Sequence, residues 1–211
     1  MGIKAVLWDM DGVLIDSEPG YNVAVGDMVR GLGMPFGERE IALITGASYK
    51  NIAEILGIER DIGKLYAGTL MKGLLKTVNG MIDGAEDFLR RFRALGIPMA
   101  IGSSSPREVV DFAAKNFGMG QYMTAVVTGT DAENGKPAPD IYLLCADKLG
   151  VRPEECLVVE DSMNGLKAGL NAGMVCAAFT GTARHGFDLS GAHLTIERYD
   201  EGNWKKIEGL L

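Results

Sequence analysis

The stretch Ile3-Lys4-Ala5-Val6-Leu7-Trp8-Asp9-Met10-Asp11-Gly12 decides how the whole chain is read. Ile3, Ala5, Val6, Leu7 and Trp8 make a short apolar run of the kind a buried strand needs, and an acidic tetrapeptide closes it. In an extended backbone side chains two apart share a side, so Asp9 and Asp11 leave the strand facing one way. Gly12 permits a sharp turn directly after them. Two carboxylates held this close repel, and the pair is tolerated when a cation lies between them or one keeps its proton. Taken alone, the four residues also fit an ordinary turn, since Asp and Gly are frequent in turns. The rest of the chain separates the two readings.

Residues 17–80 contain no strand-like run. Asp16 or Ser17 can cap a helix with Pro19 in its first turn. Residues 20–33 then carry Val23, Val25, Met28, Val29 and Leu32 at helical spacing. Segments 38–44, 49–57 and 60–77 read as further helices, punctuated by Gly37, Gly46 and Gly57. Leu65, Leu70, Leu74, Leu75 and Val78 supply an apolar face for the last of them. From about 81 the texture changes. A helix after Gly84 carries Phe88, Leu89, Phe92 and Leu95 on one face and ends at Gly96. Strands at 97–101, 124–128, 156–160 and 174–178 then alternate with helices at 107–117, 139–149 and 163–172. Residues 194–196 and 203–210 add a short strand and a short helix. Such alternation signals a parallel sheet with helices on both faces. The first strand has no partner inside the helical unit, so it belongs to the later sheet. The expected fold is α/β: a Rossmann-like three-layer parallel-sheet core, residues 1–16 and 81–211, with an all-helical domain, residues 17–80, inserted.

In open parallel sheets, ligands bind beyond the carboxyl ends of the strands. Here those ends are chemically coherent. The first strand ends in Asp9 and Asp11, the next runs into Ser103, and the loop after 124–128 carries Lys136. The strand Cys156-Leu157-Val158-Val159 ends in Glu160-Asp161. Each residue alone fits a cap, a loop charge or a helix start. Together they bring three or four carboxylates to one lysine, which cannot all stay ionised without a divalent cation. An all-oxygen ligand set with room for water and phosphate suits Mg²⁺ better than zinc.

The chain's 211 residues suit one sizeable domain or a core with an insertion, and 47% apolar with 23% charged residues is a globular composition. A formal charge of −7 argues against a nucleic-acid or anionic-membrane partner. Cys145, Cys156 and Cys176 are widely spaced in apolar surroundings and, with His185 and His193, form no zinc pattern. Buried reduced thiols, and no apolar run long enough for a bilayer, point to a cytoplasmic protein. Nothing in the sequence sets an oligomeric state; a monomer is favoured. Gly129 to Lys136 is no P-loop, because the glycine spacing is one residue too long and Pro137 stands where Ser or Thr is required.

Four segments now carry a resemblance: Asp9-Met10-Asp11-Gly12-Val13-Leu14-Ile15-Asp16-Ser17-Glu18, Gly102-Ser103-Ser104-Ser105, Gly135-Lys136-Pro137-Ala138-Pro139-Asp140 and Val159-Glu160-Asp161-Ser162 with Gly165. In order and spacing they resemble the four motifs of the haloacid dehalogenase superfamily, over nearly the whole chain. The helical stretch resembles that superfamily's small mobile cap, and the likeness is greatest to sugar-phosphate phosphatases and beta-phosphoglucomutases. The resemblance implies that Asp9 is the nucleophile forming an aspartyl-phosphate, and Asp11 the acid and base. It implies Mg²⁺ held by Asp9, the Asp11 carbonyl, Asp161 and Glu160. Ser103, with the main-chain N–H groups of Ser104 and Ser105, would bind phosphate oxygens, and Lys136 would pair with Asp9 and the phosphoryl group.

Asp11 argues against a dehalogenase and against a phosphonoacetaldehyde hydrolase, both of which lack the second Asp. A phosphate-accepting receiver domain places its acceptor Asp on a middle strand and has no helical insertion. The beta-phosphoglucomutases are the nearer rival. They carry an arginine soon after the equivalent of Gly46-Ala47-Ser48 and a histidine near position 21, where this chain has Tyr49 and Tyr21. Unless Lys50 substitutes, the cation for a second phosphate is missing, so the hydrolase is favoured. Substrate specificity is expected from Glu18, Tyr21, Asn22, Tyr49 and Lys50, a polar list that fits a small sugar or polyol phosphate.

Overall fold

The computed structural model describes residues 2–44, 49–59, 62–182 and 188–211. Its six strands form one sheet: β1 (Ala5–Trp8), β2 (Met99–Ser103), β3 (Ala125–Thr128), β4 (Cys156–Glu160), β5 (Val175–Phe179) and β6 (Leu194–Ile196). They lie in the order β3-β2-β1-β4-β5-β6, and every neighbouring pair is parallel. The chain leaves β1 to build one side of the sheet and returns past it to build the other. The crevice between β1 and β4 is therefore where strand order reverses, the usual ligand position in such sheets.

All four residues of β1 are buried because both faces of the strand are covered. Val6 and Trp8 join the apolar cluster under α5 (Ala85–Ala94), α6 (Arg107–Asn116) and α9 (Glu201–Glu208). Ala5 and Leu7 join the opposite cluster, under α7 (Asp140–Leu149) and α8 (Met163–Asn171). These are the three expected layers. On the first face Trp8 meets Phe92 and Tyr199 edge-on, with ring centres 5.9 and 6.1 Å apart. All three cysteines are free and buried.

Between β1 and α5 lie α1 (Glu18–Gly31), α2 (Glu38–Ile44), α3 (Tyr49–Ile55) and α4 (Gly63–Thr77), with no strand among the described residues. α1 and α4 pack backbone to backbone where Gly73 meets Gly20; a Cβ on Gly73 would come 2.5 Å from the Gly20 carbonyl oxygen. Their buried residues, including Val25, Met28, Tyr66, Leu70 and Leu74, continue the apolar cluster under α5 and α6. The two connections to the sheet also meet, the Ile82 N–H donating to the Leu14 carbonyl at 2.9 Å.

Several expected details change. The strand expected at 97–101 runs from Met99 to Ser103, because Pro98 has no N–H for the ladder and contributes only its carbonyl, to the Val6 N–H. The last helix covers Glu201–Glu208 instead of 203–210, since the Asp200 carboxylate caps it by accepting from the Asn203 N–H. Leu95, Leu65 and Leu75 are 56%, 43% and 59% exposed. Leu65 and Leu75 fall off the stripe that Tyr66, Ala67, Leu70, Gly73 and Leu74 define, and Leu95 lies beyond the last turn of α5. Ser17 does precede α1, but its side chain makes no cap hydrogen bond.

At the end of the sheet away from the crevice, Glu155 ties β1 to β4. Its carboxylate accepts from Lys4 Nζ at 2.6 Å and from Arg152 Nη2 and Nε at 2.9 and 3.2 Å. Hydrogen bonds from Arg152 and Lys4 hold this carboxyl down at about 2, below the ordinary 4.5. A depressed native value stabilises the fold above the unfolded value and loses that stabilisation as pH falls through the native one. Glu155→Gln is therefore expected to melt slightly below the wild type at pH 7. In thermal scans the gap closes between pH 4.5 and about 2, and activity at pH 7 is unchanged.

Candidate active site

Asp9 continues the β1 ladder, its N–H donating to the Val159 carbonyl at 3.0 Å, so its side chain emerges into the crevice at a position set by the sheet. The loop after β3 brings Lys136 to it. Asp140 Oδ1 fastens that loop by accepting from the backbone N–H and side-chain amide of Asn134 at 3.1 and 2.9 Å. The Lys136–Pro137 peptide is cis. Lys136 Nζ donates to Asp9 Oδ1 at 2.6 Å, Glu160 Oε1 at 2.6 Å and the Gly102 carbonyl at 2.9 Å, which uses all three of its hydrogens.

Glu160 is held from both sides. Oε1 receives Lys136 and the Tyr142 hydroxyl, the latter at 2.8 Å. Oε2 receives the N–H groups of Asp161 and Ser162, each at 3.1 Å, and Ser162 Oγ at 2.9 Å. Ser162 Oγ in turn accepts from the Gly165 N–H at 3.0 Å and so caps α8. Asp161 lies across from Gly12, which stands at φ +78; a Cβ there would collide with the Asp161 carboxylate.

Asp11 has a different environment. Its Oδ2 accepts from Ser105 Oγ at 2.9 Å and Ser103 Oγ at 3.3 Å. The Ser105 N–H donates back to Ser103 Oγ at 3.1 Å. Because Ser105 spends its hydrogen on Asp11, the Tyr21 hydroxyl, 3.1 Å away, is the donor in the Tyr21–Ser105 bond. Asp11 Oδ1 is buried without a hydrogen-bond partner among the described residues.

The charges follow from this layout. Burial pushes Asp9 well above the usual carboxylate range; Glu160 and Asp11 add to the shift and Lys136 opposes it. Asp161 is raised likewise, by burial and then by Glu160 and Asp9. Burial also raises Asp11, against hydrogen bonds from Ser17, Ser105 and Ser103. For Lys136 burial acts downward, but Asp9 and Glu160 outweigh it and the ammonium is firmly held. Carboxylate oxygens of Asp9, Glu160 and Asp161 lie within 4.8 Å of one another. Such a buried, all-oxygen, net-anionic cluster fits a hard divalent cation.

The crevice thus brings together Asp9, Asp11, Ser103, Ser105, Lys136, Glu160, Asp161 and Tyr21. The Ser104 backbone packs against Gly129, where a Cβ would come 2.6 Å from the Ser104 carbonyl oxygen. Glu18 opens α1. Tyr49 and Lys50 open α3, but their side chains, that of Asn22 and residues 45–48 lie outside the described residues. Two participants escape the sequence reading. Ser17 reads as a helix cap, and Tyr142 reads as one more core residue beside Ile141, Cys145 and Ala146.

Known proteins with this arrangement define its class. The model of the haloacid dehalogenase-like hydrolases matches residues 3–173. The chain belongs to that family, and it is an enzyme of the phosphatase type. It is 30% identical over 175 residues to the fructose-1-phosphate phosphatase YqaB of Escherichia coli, covering 80% of this chain and 92% of that one. To a phosphorylated carbohydrates phosphatase of Thermotoga maritima it is 30% identical over 178 residues, 82% of each chain. The crystal structure of CbbY from Rhodobacter sphaeroides in complex with phosphate superposes with a TM-score of 0.82 at 25% identity, over 94% of this chain and 96% of that one.

Because Gly12 combines positive φ with a backbone touching Asp161, Gly12→Ala is expected to displace that carboxylate. The variant should melt about 2–6 °C lower and release phosphate at least about tenfold more slowly. Thermal unfolding and phosphate-release assays on the purified variant check both.

Proposed function

We propose that the chain is a Mg²⁺-dependent phosphomonoester hydrolase that works through an aspartyl-phosphate on Asp9. The observation that carries this reading is the pairing of two unlike aspartates. Asp9 faces an ammonium, and Asp11 faces hydroxyls with its buried Oδ1 unbonded among the described residues. Environments that separate two neighbouring carboxyls in this way assign one to nucleophilic and the other to acid–base work.

An Asp9 oxygen attacks phosphorus, forming the acyl-phosphate O–P bond while the bond to the leaving alcohol oxygen breaks. Asp11 gives its proton to that oxygen. Asp11, now ionised, then takes a proton from water as the water oxygen attacks phosphorus, releasing inorganic phosphate and regenerating Asp9. Lys136 offsets the negative charge gathered around the transferring group, and the Ser103 hydroxyl and the N–H of Ser104 supply further donors. The Ser103 hydroxyl and the Ser105 N–H would turn to the phosphate as it binds, the first from Asp11 Oδ2, 3.3 Å away, and the second from Ser103 Oγ, 3.1 Å away. Asp9, Asp161 and the Asp11 carbonyl are the groups that would hold Mg²⁺, with Glu160, whose oxygens are already taken by donors, adding its charge beside them. Bound there, the ion would shield the attacking carboxylate from the phosphate dianion.

Residues 17–80 act as a cap domain on a core of 1–16 and 81–211, and the Tyr21–Ser105 bond, from α1 to the end of β2, supports that assignment. Glu18, Tyr21, Tyr49 and Lys50 contact the leaving group, which we take to be a small sugar or polyol. The named phosphatase relatives act on fructose 1-phosphate and phosphorylated carbohydrates, in keeping with that class. The acidic balance of −7 supports a small-molecule substrate and no nucleic-acid partner. No described helix is long and apolar enough to cross a membrane. Buried free thiols support a cytoplasmic setting.

Phosphate release from a panel of sugar, polyol, nucleotide, aromatic and lipid phosphates tests the reading, with Mg²⁺ or EDTA, for wild type and Asp9→Asn. Release is expected only with Mg²⁺, fastest from a sugar or polyol phosphate, and at least about a thousandfold slower in Asp9→Asn. Undiminished release by Asp9→Asn would overturn the mechanism, and best turnover of an aromatic or lipid phosphate the substrate class. Interconversion of glucose phosphates without release would make the chain a mutase.

A further inference from the structure

Tyr142 is built into the crevice but has no part in the chemistry above. It lies in the first turn of α7, fully buried, in a helix face otherwise made of Ile141, Cys145 and Ala146. A phenylalanine would fill that place equally well, and a buried hydroxyl costs stability unless it is bonded. Its bond goes to Glu160 Oε1 at 2.8 Å, the same oxygen that receives Lys136 Nζ at 2.6 Å. The Lys136 ammonium also lies 4.7 Å from the centre of the Tyr142 ring, within the range of cation–π attraction. The ring rests on Gly102, where a Cβ would come 2.9 Å from Tyr142 Cε1, and the Gly102 carbonyl is the third acceptor for Lys136. One side chain therefore borders the ammonium, bonds one of its acceptors and packs on the residue that carries another.

We propose that Tyr142 is a positioning residue for Lys136, its hydroxyl fixing the Glu160 carboxylate and its ring bounding the ammonium so that Nζ stays shared with Asp9. A lysine ammonium is a compact charge on a flexible stem, and its direction is set by whatever surrounds it. Two carboxylates compete for this one. The Tyr142 O–H occupies part of the Glu160 oxygen that would otherwise draw Nζ away, and the ring, centred 4.7 Å from Nζ, limits where the ammonium can move. The observed result is an even division, 2.6 Å to each carboxylate. The kinetic consequence rests on the phosphatase reading above; the geometry does not.

The test is a double-mutant cycle in the full chain: Tyr142→Phe, Lys136→Met and the pair. Two quantities are read, kcat and KM on the best substrate of the panel, and affinity for inorganic phosphate by calorimetry. Tyr142→Phe is expected to lower kcat about 5–20-fold with KM changed less than about twofold, and to weaken phosphate binding about threefold or more. In the Lys136→Met background the same substitution should change neither quantity by more than about twofold, because its effect passes through the ammonium. Losses that multiply with those of Lys136→Met, or a Tyr142→Phe protein that matches the wild type in both readouts, would overturn the proposal. Should Tyr142→Phe fail to fold, Tyr142→Met, a flexible filler of similar reach, takes its place in the cycle. Asp9→Asn run alongside keeps the two ideas apart. If it still releases phosphate the phosphatase mechanism fails, while the phosphate-binding cycle still decides the role of Tyr142.

Discussion

One buried ammonium holds the crevice together. Lys136 reaches between Asp9 and Glu160 with its side chain only 5% exposed, and every hydrogen on Nζ is used. Removing one partner from such a buried set leaves the others uncompensated, typically at about 3–5 kcal/mol. The geometry that prevents this comes from all over the sheet. β1 supplies Asp9, β4 supplies Glu160, β2 supplies the Gly102 carbonyl, and the loop after β3 delivers the lysine. Four chain segments far apart in sequence converge on one nitrogen because parallel strands present their carboxyl ends on one side.

The carboxylates around it differ in what their neighbours let them do. Glu160 has a donor on each side of both oxygens and is a fixed strut between Lys136 and the turn into α8. Asp161 faces Gly12, and Asp9 divides its attraction between a cation and like charges. Asp11, two residues from Asp9, meets hydroxyls and apolar burial instead of an ammonium. A short repeat of identical residues becomes two chemically distinct groups through environment alone.

The helical segment between β1 and α5 is not a separate island. Its apolar side continues into the cluster under α5 and α6, and Tyr21 carries a polar contact from α1 to Ser105, which bonds Asp11. The contact links α1 to Asp11 through two hydroxyls in series, those of Tyr21 and Ser105.

The strand–helix alternation after 81, the apolar run before Asp9 and the four polar strand ends were all legible in the amino-acid order. Periodicity and hydropathy act locally and leave a local trace. So were Asp9, Asp11, Ser103, Lys136 and Glu160-Asp161 as one group, since strand ends of a parallel sheet share a side. The exposure of Leu65, Leu75 and Leu95 was not, because burial depends on which helix lies opposite. Nor could spacing show that Ser105 turns to Asp11, or that Ser17 interacts with that aspartate instead of capping its helix. Tyr142 is the clearest instance. In sequence it is one aromatic residue in an apolar helix face. Only the fold sets that face against Gly102 and Glu160, where its hydroxyl meets a carboxylate and its ring an ammonium. Hydrogen-bond partners distant in sequence leave no periodic signal, so tertiary structure alone decided them.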